Sequence, residues 1–215
     1  MGKIKAVIFD IDGTLLNSAE IVTRLWSGVF EKFGLFLKPD ELKKHLGKSP
    51  AQLARELLPE KNPEEIDRCL QETFRREVPA FPIFEGVVGT IVFLEKRGIK
   101  IGAVSGGPLP NMKHYLSAAG ILHHFSSLAS AADFPEGKIT GAPFLHVCRE
   151  LGVEPAETVC IGDAPLDAVG ARNAGCIALG VLGGGHGKEE LELAGVETIE
   201  GVGNLPEYLK GAELL

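Results

Sequence analysis

Residues 6–15 read Ala-Val-Ile-Phe-Asp-Ile-Asp-Gly-Thr-Leu. Val7, Ile8 and Phe9 form a short apolar run suited to a buried strand. Asp10 and Asp12 follow at once, and Gly13 breaks the strand. Side chains at i and i+2 of a strand point the same way. Extended geometry persisting through Asp12 would therefore crowd two carboxylates at a strand end. Like charges that close repel each other, so such a pair shares a proton or a cation. The expectation is an acidic site that takes Mg²⁺ and can attack phosphorus.

Downstream of this run the chain changes rhythm. Ile21, Val22, Leu25, Trp26, Val29, Phe30 and Phe33 recur at helical spacing, and Gly34 ends that helix. Pro39-Asp40 opens a short helix that Gly47 closes. Residues 49–58 and 63–78 read as two more helices, with Asn62-Pro63 a good start for the second. Residues 17–80 are thus helical throughout. From residue 87 helices and strands alternate. Helices at 87–97, 109–119, 141–151 and 165–174 are closed by Gly98, Gly120, Gly152 and Gly175. Strands at 99–104, 127–130, 158–161 and 176–181 lie between and after them. This alternation predicts an α/β fold, a Rossmann-like three-layer core with a parallel sheet. The expected domains are a core of residues 1–16 and 81–215 and an inserted helical domain of residues 17–80.

The chain has 215 residues, 45% hydrophobic and 24% charged, the balance of a soluble globular protein. Its net charge is −7, with 22 basic and 29 acidic residues and no basic run. That argues against nucleic acid or an anionic membrane as partner. No apolar stretch reaches the roughly 18 residues that span a bilayer, and no signal peptide is visible. Cys69, Cys148, Cys160 and Cys176 fit no zinc spacing and read as free thiols in a reducing cytoplasm.

In an open α/β sheet, ligands bind beyond the carboxyl ends of the strands. Asp10, Asp12, Ser105 and Asp163 all stand at such ends, and Lys138 lies in a nearby loop. The Ser105 hydroxyl and the N–H groups after it, from Gly106 on, could hold phosphate oxygens. Asp163 could complete a hard-oxygen set for Mg²⁺, and Asp167 falls in the first turn of the next helix, a favourable place for an acid. A lysine such as Lys138 near several carboxylates would balance their charge and grip phosphate.

With these motifs in order, Asp-x-Asp-Gly-Thr at 10–14, Ser105, Lys138 and Gly-Asp-x₃-Asp at 162–167, the chain resembles the haloacid dehalogenase-like hydrolase superfamily, in its phosphoglycolate phosphatase-like branch. The residue 17–80 insert resembles that family's four-helix cap. The resemblance implies a phosphatase that hydrolyses a small phosphomonoester through an aspartyl-phosphate. Asp10 would be the nucleophile and Asp12 the general acid and then base. Asp10, Asp163 and the main-chain carbonyl of Asp12 would hold Mg²⁺. Ser105, Gly106 and Lys138 would bind the phosphoryl oxygens, with Thr14 and Asp167 in support. Gly47-Lys48-Ser49 resembles the family's substrate-contacting loop, so Lys48 is a candidate for the leaving group. His45 and Arg24 are weaker candidates, and Trp26 reads as core. The expected partner is a small phosphorylated metabolite, and the expected state a monomer or homodimer. The alternatives are a sugar phosphomutase of the same superfamily and a non-catalytic phospho-Asp signalling or binding module.

Overall fold

The computed structural model describes residues 3–46, 48–78 and 80–215. Strand β1 (Ala6–Phe9) is followed by helices α1 (Ala19–Lys32), α2 (Pro39–Leu42), α3 (Pro50–Leu57) and α4 (Pro63–Glu77). Helix α5 (Val87–Glu95), β2 (Lys100–Ser105), α6 (Leu109–Ala118), β3 (Ser127–Ser130) and α7 (Ala142–Leu151) come next. Then follow β4 (Thr158–Gly162), α8 (Pro165–Asn173), β5 (Ile177–Val181), α9 (Lys188–Leu193), β6 (Glu197–Ile199) and α10 (Leu205–Gly211). The helix end expected at Gly47 falls on a residue outside those described.

The strands make one parallel sheet in the order β3-β2-β1-β4-β5-β6. Central β1 is covered on both faces, which explains why its sequence is apolar without a break. Val7 and Phe9 enter one core cluster, while Ala6 and Ile8 enter the other. The strand order reverses at β1, the topological switch point where a crevice opens.

The insert helices form for legible reasons. Ser49 and Gln52 bond each other's backbone N–H in a capping box ahead of α3. The Asn62 side chain accepts from the N–H groups of Glu64 and Glu65, and Pro63 opens α4. Val22, Leu25, Trp26, Val29 and Phe30 make the buried stripe of α1. That stripe belongs to the same apolar cluster as Val7 and Phe9, so one core runs from the sheet into the insert. The glycines read as helix stops at 34, 98, 120, 152 and 175 all adopt positive φ.

Two differences from the sequence reading stand out. Elements α9, β6 and α10 lie past the last strand read from sequence. Strand β6 is three residues long, too short for a periodicity of its own, and exists by pairing with β5. The first strand also ends at Phe9 and does not stay paired through Asp12. Asp10 N still donates to Ile161 O at 2.9 Å, but Ile11 O then accepts from Leu15 and Leu16 in a turn. No helix among the described residues is long and apolar enough to cross a membrane.

Candidate active site

The carboxyl ends of β1, β2 and β4 converge with the Lys138 loop. Asp10 leaves β1 and Asp163 leaves β4, its neighbour in the sheet. Asp167 sits in the first turn of α8, with its Oδ2 accepting from Ala164 N at 3.2 Å. Lys138 enters through a left-handed turn at Glu136 and Gly137 (φ 58° and 66°). Its Nζ donates to Asp10 Oδ1 at 2.5 Å and to Asp167 Oδ1 at 2.6 Å. Lys138 is 1% exposed, Asp163 2%, Asp10 3% and Asp167 5%.

Asp163 is held from two further directions. Thr14 Oγ1 donates to its Oδ1 at 3.2 Å, and Gly185 N to its Oδ2 at 2.8 Å. The backbones of Gly13 and Gly184 press against the same carboxylate: a Cβ would lie 2.4 Å from Oδ2 at Gly13 and 2.1 Å at Gly184. Gly13 also has φ +85°, which favours glycine independently. The loop after β5 thus shapes the site. Its signal in the sequence is the glycine run at 183–185 directly after the strand read at 176–181.

The Asp12 carboxylate turns elsewhere. Its Oδ2 accepts from Ser105 Oγ at 3.2 Å, and Ser105 Oγ accepts from Gly107 N at 3.1 Å. The carboxylate oxygens that come together within 4.8 Å belong to Asp10, Asp163 and Asp167. Of Asp12, the main-chain carbonyl is the group the family resemblance assigns to a metal.

The charges do not balance. Four carboxylates, Asp10, Asp12, Asp163 and Asp167, face the single ammonium of Lys138. Burial raises the Asp10 carboxyl well above its ordinary value; Lys138 opposes this, and Asp167, Asp163 and Asp12 add to it. Burial also lifts Asp163, to about 6, with Asp167 reinforcing and Gly185 N–H, His186 and Lys138 opposing. Asp12 is raised by burial and pulled back by Ser18, Lys138 and Ser105 nearby. Burial alone would lower the Lys138 ammonium, yet Asp10 and Asp167 hold it above the ordinary lysine value. A buried excess of negative charge built from hard oxygens suits a divalent cation such as Mg²⁺.

Above this floor a cleft separates the insert helices from the sheet, with about 70 Å³ open to the centre of a water-sized sphere. Asp10, Asp12, Ser105 and Gly106 reach it from below and Lys48 from above. Lys48 Nζ is committed to Glu56 Oε2 and lies 3.3 Å from His45 Nδ1. Gly47 of the same loop is outside the described residues. Arg24 is exposed and does not line the cleft, while Trp26 is both core and wall. The wall residues Phe81, Met112 and Tyr115 had no sequence signal, because they look like ordinary core.

A sequence profile described as haloacid dehalogenase-like hydrolase matches residues 4–175. The chain belongs to the haloacid dehalogenase-like hydrolases. A phosphoglycolate phosphatase of Chromobacterium violaceum is 28% identical over 218 residues, covering 96% of this chain and 97% of that protein. Two solved structures share the fold of this hydrolase. A hydrolase from Pseudomonas syringae superposes with a TM-score of 0.84 at 23% identity, covering 96% of this chain and 98% of the other. A β-phosphoglucomutase from Clostridium difficile gives a TM-score of 0.81 at 24% identity, with 97% and 96% covered. The Asp-x-Asp-Gly-Thr run, Ser105, Lys138 and Asp163 all fall within the matched span.

Proposed function

We propose that this hydrolase is a Mg²⁺-dependent phosphatase that cleaves a small phosphomonoester through an aspartyl-phosphate on Asp10. The observation that carries the reading is the buried Asp10, gripped through Oδ1 by Lys138 and flanked by excess carboxylates beneath a cleft. Lys138 leaves Asp10 Oδ2 without a hydrogen bond among the described residues. That oxygen attacks phosphorus while the bond from phosphorus to the leaving oxygen breaks. Asp12 donates its proton to that departing oxygen; its raised carboxyl pKa suits the task. In the second half Asp12 takes a proton from water, which attacks phosphorus and frees Asp10 and phosphate. Ser105, Gly106 and Lys138 bind the equatorial oxygens, and Asp167 keeps Lys138 in place. Asp10, Asp163 and the Asp12 carbonyl would hold Mg²⁺, with Thr14 bracing Asp163. A bound Mg²⁺ supplies positive charge that offsets repulsion between Asp10 and the incoming phosphate. Helices α1–α4, within residues 17–80, act as a cap over the core of residues 1–16 and 81–215.

The test is phosphate release from a panel of phosphomonoesters with Mg²⁺. Release should stop with EDTA and fall by at least about a thousandfold in Asp10→Asn, as for loss of a nucleophile. Isomerised sugar phosphate without net phosphate release would instead make it a mutase.

A further inference from the structure

The walls of the cleft point to the group that the phosphate leaves behind. Val22 and Trp26 of α1, Leu46, Phe74 of α4, Phe81 and Met112 of α6 surround the space above Asp10 and Asp12. These residues come from both sides of the cleft, cap and core. Their faces nevertheless do not close on one another, and the space between them stays open above Asp10.

The polar side chains on the wall above Asp10 and Asp12 are the neutral Gln71, Asn111 and Tyr115 and the cationic Lys48. Gln71 spends its amide N–H on Asp67 Oδ2 at 2.5 Å. The Asn111 side-chain amide makes no hydrogen bond to a described residue. The Tyr115 hydroxyl is pushed up to about 12 by burial and then by Asp12, so it stays protonated. Lys48 is the one basic side chain among the described cleft-lining residues, and Glu56 already pairs with it. Lys138 lies beneath, committed to Asp10 and Asp167.

Among the described side chains, a second anionic group on the substrate would therefore find no cation that is not already paired with a carboxylate. It would also approach Asp12 and Asp10 at the floor. An anion moved from water to such a wall loses its hydration without recompense. An apolar or ring-bearing group gains from burial against the same wall, and aromatic faces add stacking.

From these walls we infer that the natural leaving group is an uncharged, mainly apolar alcohol, ring-bearing rather than carboxylate-bearing. This rests on the phosphatase reading above. The inference sets this enzyme's own substrate apart from the acid named in its Chromobacterium violaceum relative.

Two primary alkyl esters of the same chain length isolate the end group: 3-phenylpropyl phosphate and 3-carboxypropyl phosphate. Their scissile oxygens are chemically alike, so the ratio of kcat/KM reports the wall. With Mg²⁺ the phenyl ester should be favoured by about tenfold or more, the range of a hydrophobic pocket's discrimination. Equal or reversed rates would overturn the inference and leave the phosphatase reading standing. So would hydrolysis of acetyl phosphate with neither ester accepted. If acetyl phosphate is not hydrolysed either, and Asp10→Asn changes nothing, the phosphatase reading fails and the inference fails with it.

Binding gives a readout independent of turnover. Trp26 is the chain's one tryptophan and stands in the wall. In Asp10→Asn, its fluorescence should change at lower concentrations of the phenyl ester than of the carboxyl ester; the opposite order would overturn the inference. Glu56→Gln, a change at a partly exposed residue, would unmask Lys48 and narrow the kcat/KM ratio. A ratio unmoved by it would overturn the claim that Glu56 masks Lys48.

Discussion

Lys138 is the residue on which the charge balance of the site turns. It is the buried cation between Asp10 and Asp167. Removing it as Lys138→Met leaves two buried carboxylates without their partner. Breaking such a buried pair costs about 3–5 kcal/mol. Urea unfolding at pH 7 should show a loss of that size, shrinking as the pH falls and the orphaned carboxylates protonate. Asp163 gives the pH dependence a second handle. Its folded value, about 6, lies above the ordinary 3.8, so the fold favours the neutral acid. The stability this contributes is fully present below 3.8 and is lost as pH rises through about 6. A Mg²⁺ ion held there, as proposed above, would compete for the same oxygens and need them deprotonated. The rise in Tm on adding Mg²⁺ should therefore grow most steeply as the pH passes through about 6 and flatten at higher pH. A rise that does not vary with pH would count against Asp163 as a ligand.

Among the elements, the loop after β5 decides how Asp163 is held. Gly184 offers no room for a side chain, since a Cβ would meet Asp163 Oδ2 at 2.1 Å. Gly184→Ala should displace the carboxylate while the sheet keeps its pairing. The expected result is a Mg²⁺ affinity lower by about tenfold to a hundredfold, the usual toll of losing an outer-shell support. Titration calorimetry reads the affinity, and an unchanged circular dichroism spectrum would show that the fold persists. The packing of α8 depends on small residues in the same way. A Cβ on Gly170 would lie 2.2 Å from Lys138 O, and one on Gly162 2.5 Å from Asp167 Oδ2. In the sequence Gly170 and Gly184 look like any other glycines, because the atoms they admit, of Lys138 and Asp163, come from distant parts of the chain.

Across the whole molecule, the helices inserted after β1 share an apolar interior with the sheet. Trp26, Leu53, Ile66 and Leu70 of the insert join the cluster that holds Val7, Phe9 and Ile101. A continuous core of this kind predicts a single cooperative unfolding transition, although the cap is inserted between β1 and β2. Trp26 fluorescence reports the cap, and far-ultraviolet circular dichroism reports the sheet and helices together. Their urea midpoints should coincide; a separate earlier fluorescence transition would mean that the cap unfolds alone. The cleft is the place where this interior is interrupted. Its walls are therefore apolar for the same reason the core is, and Trp26, Leu46, Phe74 and Met112 belong to both.

Much of this architecture is legible in local pattern. Unbroken apolar strands, helical stripes and helix-ending glycines act over a few residues, so the α/β alternation and the helical insert can be read directly. Asp10, Asp12, Ser105, Asp163 and Asp167 are legible too, because each stands at a strand end or helix start, and Lys138 is legible from its place in the order of motifs. What long-range packing settles is different in kind. Asp12 turns to Ser105 while Asp10 turns to Lys138, and no spacing along β1 distinguishes those partners. Gly184 and Gly185 reach Asp163 from the loop after the neighbouring strand, and Phe81 and Met112 come to line one cleft with Trp26. Contacts between residues far apart in the chain depend on where whole elements come to rest, and short-range pattern carries no record of that.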